Sequence, residues 1–365
     1  MSASPQELVL ELQRQHFADR RLTRSTIHVA EDAQAVRVQG QVLDRRDADT
    51  LLATLRQHAP AIAWQDELVP LVAGPEYGWA MLNRAVSDLR LEPTNKAERV
   101  SQVVFGEAVE ILERRDGWWF VRLPDGYLGW VAAEALHETT QAAAESWQAE
   151  ATHIVTHSLL PVYADLSGSG EQQYMLLPFG SRVVVTNEDG RWSTLRMPNG
   201  MRLWAPTFGL LPLNERPDAS PAGLREVVEW LYPMVGVPYL WGGRTPFGYD
   251  CSGVVQAVYA LLDMPLLRDA DQQYTQGRAV ARNEMLWGDL LFFDTSLIET
   301  ELANDSDRYI THVALALDDD DFLHASSQYG GLVRGSLNPA SPFFTPSYEQ
   351  RLIGTRRMVD EYNGG

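Results

Sequence analysis

Asp250-Cys251-Ser252-Gly253 holds the single cysteine of a 365-residue chain, where an extended segment, Tyr239-Leu-Trp-Gly-Gly, gives way to an apolar helical run from Val254 to Leu262. Unpaired N–H groups and the helix dipole stabilise a thiolate at a helix start, so the position predicts an acidified, nucleophilic thiol. Downstream, Thr311-His312-Val-Ala-Leu-Ala-Leu, the four aspartates Asp318 to Asp321 and Phe322-Leu-His324-Ala-Ser read as two short strands joined by an acidic turn. A lone cysteine or histidine is commonly a buried structural residue. A cysteine on a helix start with histidines on two successive strands is instead a nucleophile, a base and an orienter. In that chemistry neutral His312 takes the thiol proton, or the two rest as a thiolate–imidazolium pair. The sulfur attacks a scissile carbonyl, the imidazolium protonates the leaving amine, and water hydrolyses the thioester. His324 would orient the His312 ring, and main-chain N–H groups at the helix start would meet the oxyanion.

The strands must bring the histidines together. A two-residue turn at Asp319-Asp320 would set His312 opposite Ser327 and leave His324 three residues away, about 10 Å along the strand. A bulge, a longer turn or barrel shear is then required.

The blocks Pro238-Tyr-Leu-Trp-Gly-Gly, Gly248-Tyr-Asp-Cys-Ser-Gly-Val-Val, Leu267-Arg-Asp-Ala-Asp-Gln-Gln, Trp287-Gly-Asp-Leu-Leu-Phe-Phe, His312-Val-Ala and Phe322-Leu-His324-Ala resemble, in order, the NlpC/P60 cysteine peptidases. The resemblance covers residues 222–358 and implies a reduced papain-like α+β fold. It also implies cleavage of bacterial cell-wall peptides between γ-linked D-glutamate and a diamino acid, with Cys251 as nucleophile, His312 as general base and His324 as orienter.

Residues before 222 carry an internal repeat at an offset of 73 or 74. It pairs Phe105-Gly106 with Phe179-Gly180, Asp116-Gly-Trp-Trp119 with Asp189-Gly-Arg-Trp192, Pro124-Asp-Gly126 with Pro198-Asn-Gly200, and Trp130 with Trp204. Short β-rich runs broken by Asp-Gly and Asn-Gly turns predict two small barrels. Both copies resemble bacterial SH3 domains. Helical stretches Thr139–Glu150 and Ala219–Leu231 would follow the first and second copies. In residues 1–76 a helix over Pro5–Arg20, a strand from Ala35, a helix over Ala48–His58 and a strand Ala61–Trp64 predict an α/β accessory region of unassigned role. The expected fold is therefore multidomain α+β: the accessory region (1–76), two SH3-like β-barrels (77–138 and 151–214) and the papain-like NlpC/P60 catalytic domain (222–358).

This arrangement resembles the γ-D-glutamyl-L-diamino-acid endopeptidases of wall-peptide recycling (YkfC-like, or dipeptidyl-peptidase VI), in which the first SH3 domain closes the cleft so that only peptides with a free N-terminal L-Ala bind. By that resemblance the substrate residues are Glu92, Tyr127 and Asp269, with Asp250 and Ser252 beside the nucleophile and Tyr239 and Trp241 as an aromatic wall. One departure is Ala270, where such enzymes carry serine after the Arg-Asp pair, leaving a substrate hydrogen bond missing or supplied by Asp271. The carboxylates of such a peptide must find local arginines, and Arg90, Arg244 and Arg268 lie near these motifs in the sequence.

A net charge of −19 and a pI near 4.8 argue against nucleic acid and anionic membranes as partners. No apolar stretch reaches membrane-spanning length, and the N-terminus lacks a basic region followed by an apolar one, which predicts a cytoplasmic protein, or an exported one if a signal peptide has been removed. One cysteine excludes an internal disulfide. No cofactor is expected, and no metal site stands out among the eight histidines. The expected partner is a murein peptide, L-Ala-γ-D-Glu-diamino acid, with no obligate protein partner. Two alternatives remain open: an amidase or acyltransferase on the same scaffold, and a wall-binding protein with an inactive catalytic domain.

Overall fold

The computed structural model describes residues 4–31, 35–72, 77–166, 172–295, 309–317 and 320–359. At the N-terminus, helix Pro5–His16 starts in a capping box between Ser4 and Glu7, and helix Arg45–His58 is capped by Asp44. They bury Val9, Leu12, Leu51, Leu52 and Leu55 against strands Thr26–Glu31, Val36–Val42 and Trp64–Pro70. The middle strand runs antiparallel to the first and parallel to the third, with helix Arg45–His58 as the crossover that parallel pairing demands. Strand Thr26–Glu31 is additional to the sequence expectation, and the last strand begins at Trp64, where it was expected to end.

The first repeat copy supplies strands Gly78–Leu82, Val86–Arg90, Arg99–Val104, Ala108–Arg115, Trp118–Arg122, Leu128–Ala132 and Leu136–Thr139. The second supplies His153–Val155, Leu159–Asp165, Gln172–Pro178, Arg182–Asp189, Trp192–Arg196, Arg202–Pro206 and Leu210–Pro212. In both sheets the pairing order is third, second, sixth, fifth, fourth, first, seventh, so the sequence repeat is a repeat of topology. At Asp116-Gly117 φ is 46° and 81°, the two positive values that a type I′ hairpin turn needs. The ladders of each sheet end in two edges, so among the described residues they form open seven-stranded sheets and not the closed barrels expected. Between them helix Gln141–Glu150 sets Trp147 edge-on to Phe105, with ring centroids 6.4 Å apart.

After helix Pro221–Glu229 comes a six-stranded sheet ordered Arg278–Val280, Leu352–Arg357, Leu290–Phe293, His312–Ala316, Asp321–Ser326, Gly331–Ser336, with every neighbouring pair antiparallel. Helix Cys251–Leu261 lies on one face, burying Val254, Val255 and Val258 with Val313, Leu315, Leu323 and Ala325. A helix packed on an antiparallel sheet gives this part its α+β character.

Candidate active site

Cys251 is the first residue of its helix, and its neighbours fix that start. One Asp250 oxygen accepts the Gly253 N–H at 2.7 Å as the N-cap, and the other accepts the Gly242 N–H at 2.9 Å. Glycine is required at 253 because a Cβ there would stand 2.0 Å from the Gly243 carbonyl oxygen. Both Asp250 oxygens also receive Arg268, whose Nη1 and Nη2 lie 3.1 and 2.5 Å away. That guanidinium is 1% exposed and further donates to Ser252 Oγ at 2.8 Å and to Ser101 Oγ at 2.9 Å. Asp250 and Ser252 are therefore buried and engaged with Arg268, which ties the helix start to strand Arg99–Val104 of the first seven-stranded sheet. Removing one partner of such a buried pair strands a charge, so Arg268 is bound to the architecture of the helix start.

The histidines meet through a longer turn, one of the three devices expected, which moves the register one residue from that of a two-residue turn. Leu315 pairs with Leu323 and Ala316 with Phe322, and the Leu317 N–H donates to the Asp321 carbonyl at 2.7 Å. The connection is one residue longer than a two-residue turn. Asp320, at φ 64°, takes the left-handed conformation that aspartate tolerates, while Asp319 lies outside the described residues. Continued, this register sets His324 level with Ala314, two residues from His312 and on the same face; the offset of three that a two-residue turn gives would have turned the rings to opposite faces. His312 Nε2 and His324 Nδ1 are 2.7 Å apart. Phe293, Phe322 and Tyr348 enclose the pair, with the Tyr348 ring 5.5 Å from His312 and 5.0 Å from His324. Strand His312–Ala316 also meets the sulfur, because the main-chain N–H groups of Val313 and Ser252 favour the Cys251 thiolate.

The thiol departs from the acidified group expected at a helix start, whereas a neutral His312 is one of the two expected resting states. Burial, followed by the Asp250 carboxylate, pushes the Cys251 thiol up to about 12, outweighing the two main-chain donors and Arg268. Burial lowers His312 to about 3 and takes His324 well below 6.5, aided by His312 itself. Burial thus outweighs the helix N-terminus and favours the neutral thiol and the neutral imidazole. Strand His312–Ala316 sets His312 against His324 and brings its Val313 N–H to Cys251, so a thiol and an imidazole pair stand on neighbouring elements.

The other candidates divide into two groups. The Tyr127 hydroxyl donates to Asp269 Oδ2 at 3.0 Å, which joins the first seven-stranded sheet to the turn after Arg268. Burial raises the Asp269 carboxyl. Tyr239 stands where Cys251 and Asp250 raise its hydroxyl after burial does. Trp241 is 59% exposed, and its Nε1 donates to Glu98 Oε1 at 2.8 Å, so the two aromatics differ in setting. Glu92 is exposed on the loop after strand Val86–Arg90, and among the described residues its carboxylate makes no hydrogen bond to Tyr127 or Asp269. Ala270 is buried, and Asp271 binds Arg21 at 2.7 Å. Arg90 donates to Asp88 and the Ala97 carbonyl, and Arg244 to Glu107 and the Gln102 carbonyl, so these arginines, like Arg268, serve internal contacts.

Sequence reasoning missed Tyr348, the Phe293–Phe322 cage and Arg21. The first two come from a distant segment and an apolar pattern that also reads as core, and Arg21 is 248 residues from Asp269. His153 and His157 do stand four residues apart, yet His153 faces Glu188 and His157 faces Phe208. Among the described residues no three metal-binding side chains converge, and no helix is long and apolar enough to cross a membrane.

Residues 236–357 match the NlpC/P60 family profile, and residues 89–136 match the bacterial dipeptidyl-peptidase SH3 domain. A γ-D-glutamyl-L-lysine dipeptidyl-peptidase of Bacillus cereus is 24% identical over 300 residues, 80% of this chain and 84% of that protein. The probable endopeptidase NlpC of Escherichia coli is 34% identical over 128 residues, 35% of this chain and 77% of that protein. Among solved structures, an NlpC/P60 family protein from Bacillus cereus superposes with a TM-score of 0.65 at 21% identity, covering 77% of this chain and all of that one, a likeness of fold. With the cysteine–histidine site standing inside the matched segment, the chain belongs to the NlpC/P60 family of peptidases, hydrolases acting on peptide bonds, and carries a bacterial SH3 domain ahead of the site.

Proposed function

We propose that this protein is a cysteine endopeptidase that hydrolyses the γ-D-glutamyl–L-diamino acid bond of cell-wall peptides with a free N-terminal L-Ala, in murein peptide recycling. The observation that carries the reading is the 3.0 Å bond from Tyr127 to Asp269, because it brings an acidic group and an SH3-side wall together beside the nucleophile's own turn. The dipeptidyl-peptidase name of the Bacillus cereus relative supports the same reading. The two seven-stranded sheets would serve as paired SH3-like modules, with the first as the wall that stops a longer chain.

In this reading Cys251 Sγ loses its proton to His312 Nδ1 and bonds to the γ-carbonyl carbon of D-Glu. The carbon–nitrogen bond breaks as the His312 imidazolium gives that proton to the departing diamino acid. Water then attacks the thioester, returning the thiol and releasing L-Ala-D-Glu. His324 holds His312 Nε2, Tyr127 and Asp269 receive the terminal ammonium, and Tyr239 and Trp241 flank the chain. A carboxylate beside a hydroxyl suits an ammonium and disfavours an acylated nitrogen.

The test is incubation of L-Ala-γ-D-Glu-meso-diaminopimelate in oxygen-18 water with mass spectrometry of the products. The reading expects free diaminopimelate and L-Ala-D-Glu carrying one heavy oxygen. Acyl transfer to an added amine without label would identify a transferase, and binding without turnover a wall-binding protein; either outcome contradicts the proposal.

A further inference from the structure

The N-terminal segment reaches the proposed ammonium pocket through one side chain. Arg21 Nη1 donates to Asp269 Oδ2 at 2.9 Å and to Asp271 Oδ1 at 2.9 Å, and Nη2 to Asp271 Oδ2 at 2.7 Å. Its Nε and Nη2 are also held by the two oxygens of Asp19, each at 2.8 Å. Asp19 in turn accepts from Gln272 Nε2 at 2.7 Å. The main chain follows, because the Arg21 carbonyl accepts the Leu128 N–H at 2.8 Å, and Leu22 lies against Gly126, where an added Cβ would meet its Cδ2 at 3.6 Å. Residues 19–22 are thus wedged between the Asp125–Tyr127 turn and the Asp269–Gln272 turn, and Arg21 and Tyr127 share one oxygen of Asp269.

We propose that Arg21 is a positioning and specificity-determining residue for the peptide's N-terminal ammonium: supplied from outside the two family-matched segments, it fixes the Asp269 carboxylate that receives that ammonium beside Tyr127. The inference rests on the ammonium-pocket reading above. A carboxylate free to rotate, or protonated, is a poor partner for a cation. Burial already favours the protonated form of Asp269, Asp250 adds to that, and Arg268 and Arg21 oppose it. Asp271 and Tyr127 complete the groups facing this carboxyl or its guanidinium partner. Loss of Arg21 therefore removes a bond that orients Asp269 and one of two charges that keep it ionised. Arg21 does not saturate the cluster, because three carboxylates, Asp19, Asp269 and Asp271, face its single charge.

The test is steady-state kinetics of wild type, Arg21→Gln and Arg21→Lys on L-Ala-γ-D-Glu-meso-diaminopimelate and on its N-acetyl form, from pH 5.5 to 8. Wild-type preference for the free amine tests the pocket itself, and its absence refutes the underlying reading whatever Arg21 does. Given that preference, Arg21→Gln is expected to raise KM for the free-amine peptide about tenfold with kcat nearly unchanged. The rise should grow toward low pH, and Arg21→Lys should recover part of it. An unchanged or lowered KM, or an equal loss on both peptides, would overturn the proposal; a lowered KM would mean that Arg21 competes with the substrate ammonium. Should Arg21→Gln not fold, Arg21→Lys carries the same test through its intermediate rise in KM.

Discussion

His312 Nε2 and His324 Nδ1 stand 2.7 Å apart, and this contact decides which nitrogen of His312 can act as a base. For Nδ1 of His312 to accept the thiol proton, Nε2 must carry hydrogen and donate it to His324, which places the second hydrogen of that pair on His324 Nε2. That atom is buried with no hydrogen-bond partner among the described residues. In the proposed mechanism the orienter is then a neutral ring, which would steer the base without the charge that a carboxylate would lend to the imidazolium.

Replacing His324 tests the orienting role. His324→Ala is expected to lower kcat about 10²-fold with KM little changed, whereas His324→Asn, which keeps a hydrogen-bond acceptor, retains most of the activity. Equal losses in the two variants, measured as kcat and KM on the free-amine peptide, would remove His324 from the mechanism.

The buried thiol predicts no thiolate at neutral pH. Because Cys251 is pushed up to about 12 and His312 down to about 3, the resting pair stays neutral between those limits. The absorbance difference near 240 nm between wild type and Cys251→Ala should be absent at pH 7 and emerge only in strong alkali. A difference already present at pH 7 would establish a resting ion pair instead.

Stability should follow the same groups. His312 titrates lower in the folded protein than when unfolded, so the unfolded chain binds more protons between about 6.5 and about 3. The stabilisation is complete above the unfolded value and is lost as pH falls through this window. Thermal unfolding of wild type should therefore weaken more steeply from pH 6.5 to 4 than that of His312→Gln. Parallel slopes would contradict a histidine held neutral by burial.

Arg268 should matter to folding as much as to turnover. Arg268→Ala leaves Asp250 buried without its counter-ion and is expected to cost about 3–5 kcal/mol, read by denaturant unfolding. Asp250→Asn in the same chain should recover part of that loss. A stable Arg268→Ala protein would show that the guanidinium does not hold the helix start.

The place of Cys251 at a helix start and of His312 and His324 on successive strands was legible because each sits in a local motif: Asp-Cys-Ser-Gly before an apolar helix, and histidines in short apolar runs. The repeat was legible because paired turns and tryptophans recur at an offset of 73 or 74, and it proved to be a repeat of strand order. That some device had to join the histidines was legible, but the choice of a longer turn over a bulge or shear was not, since a single residue of register depends on Asp320 entering a left-handed conformation. Nor were Ser101 as a partner of Arg268 or Arg21 as a partner of Asp269, and Tyr127 came together with Asp269 only through the family resemblance. Ser101 lies 167 residues from Arg268 and Tyr127 lies 142 from Asp269, and such contacts arise from docking of separate sheets, which no local pattern encodes.

The most direct test of the central claim is mass spectrometry of L-Ala-γ-D-Glu-meso-diaminopimelate and its N-acetyl form after incubation with wild type and with Cys251→Ala. L-Ala-D-Glu should be released from the free-amine peptide by wild type, with Cys251→Ala slower by at least about 10³-fold and the acetylated peptide intact. Comparable cleavage by Cys251→Ala would contradict the thiol mechanism, and equal cleavage of the two peptides would contradict the ammonium pocket built from Tyr127 and Asp269.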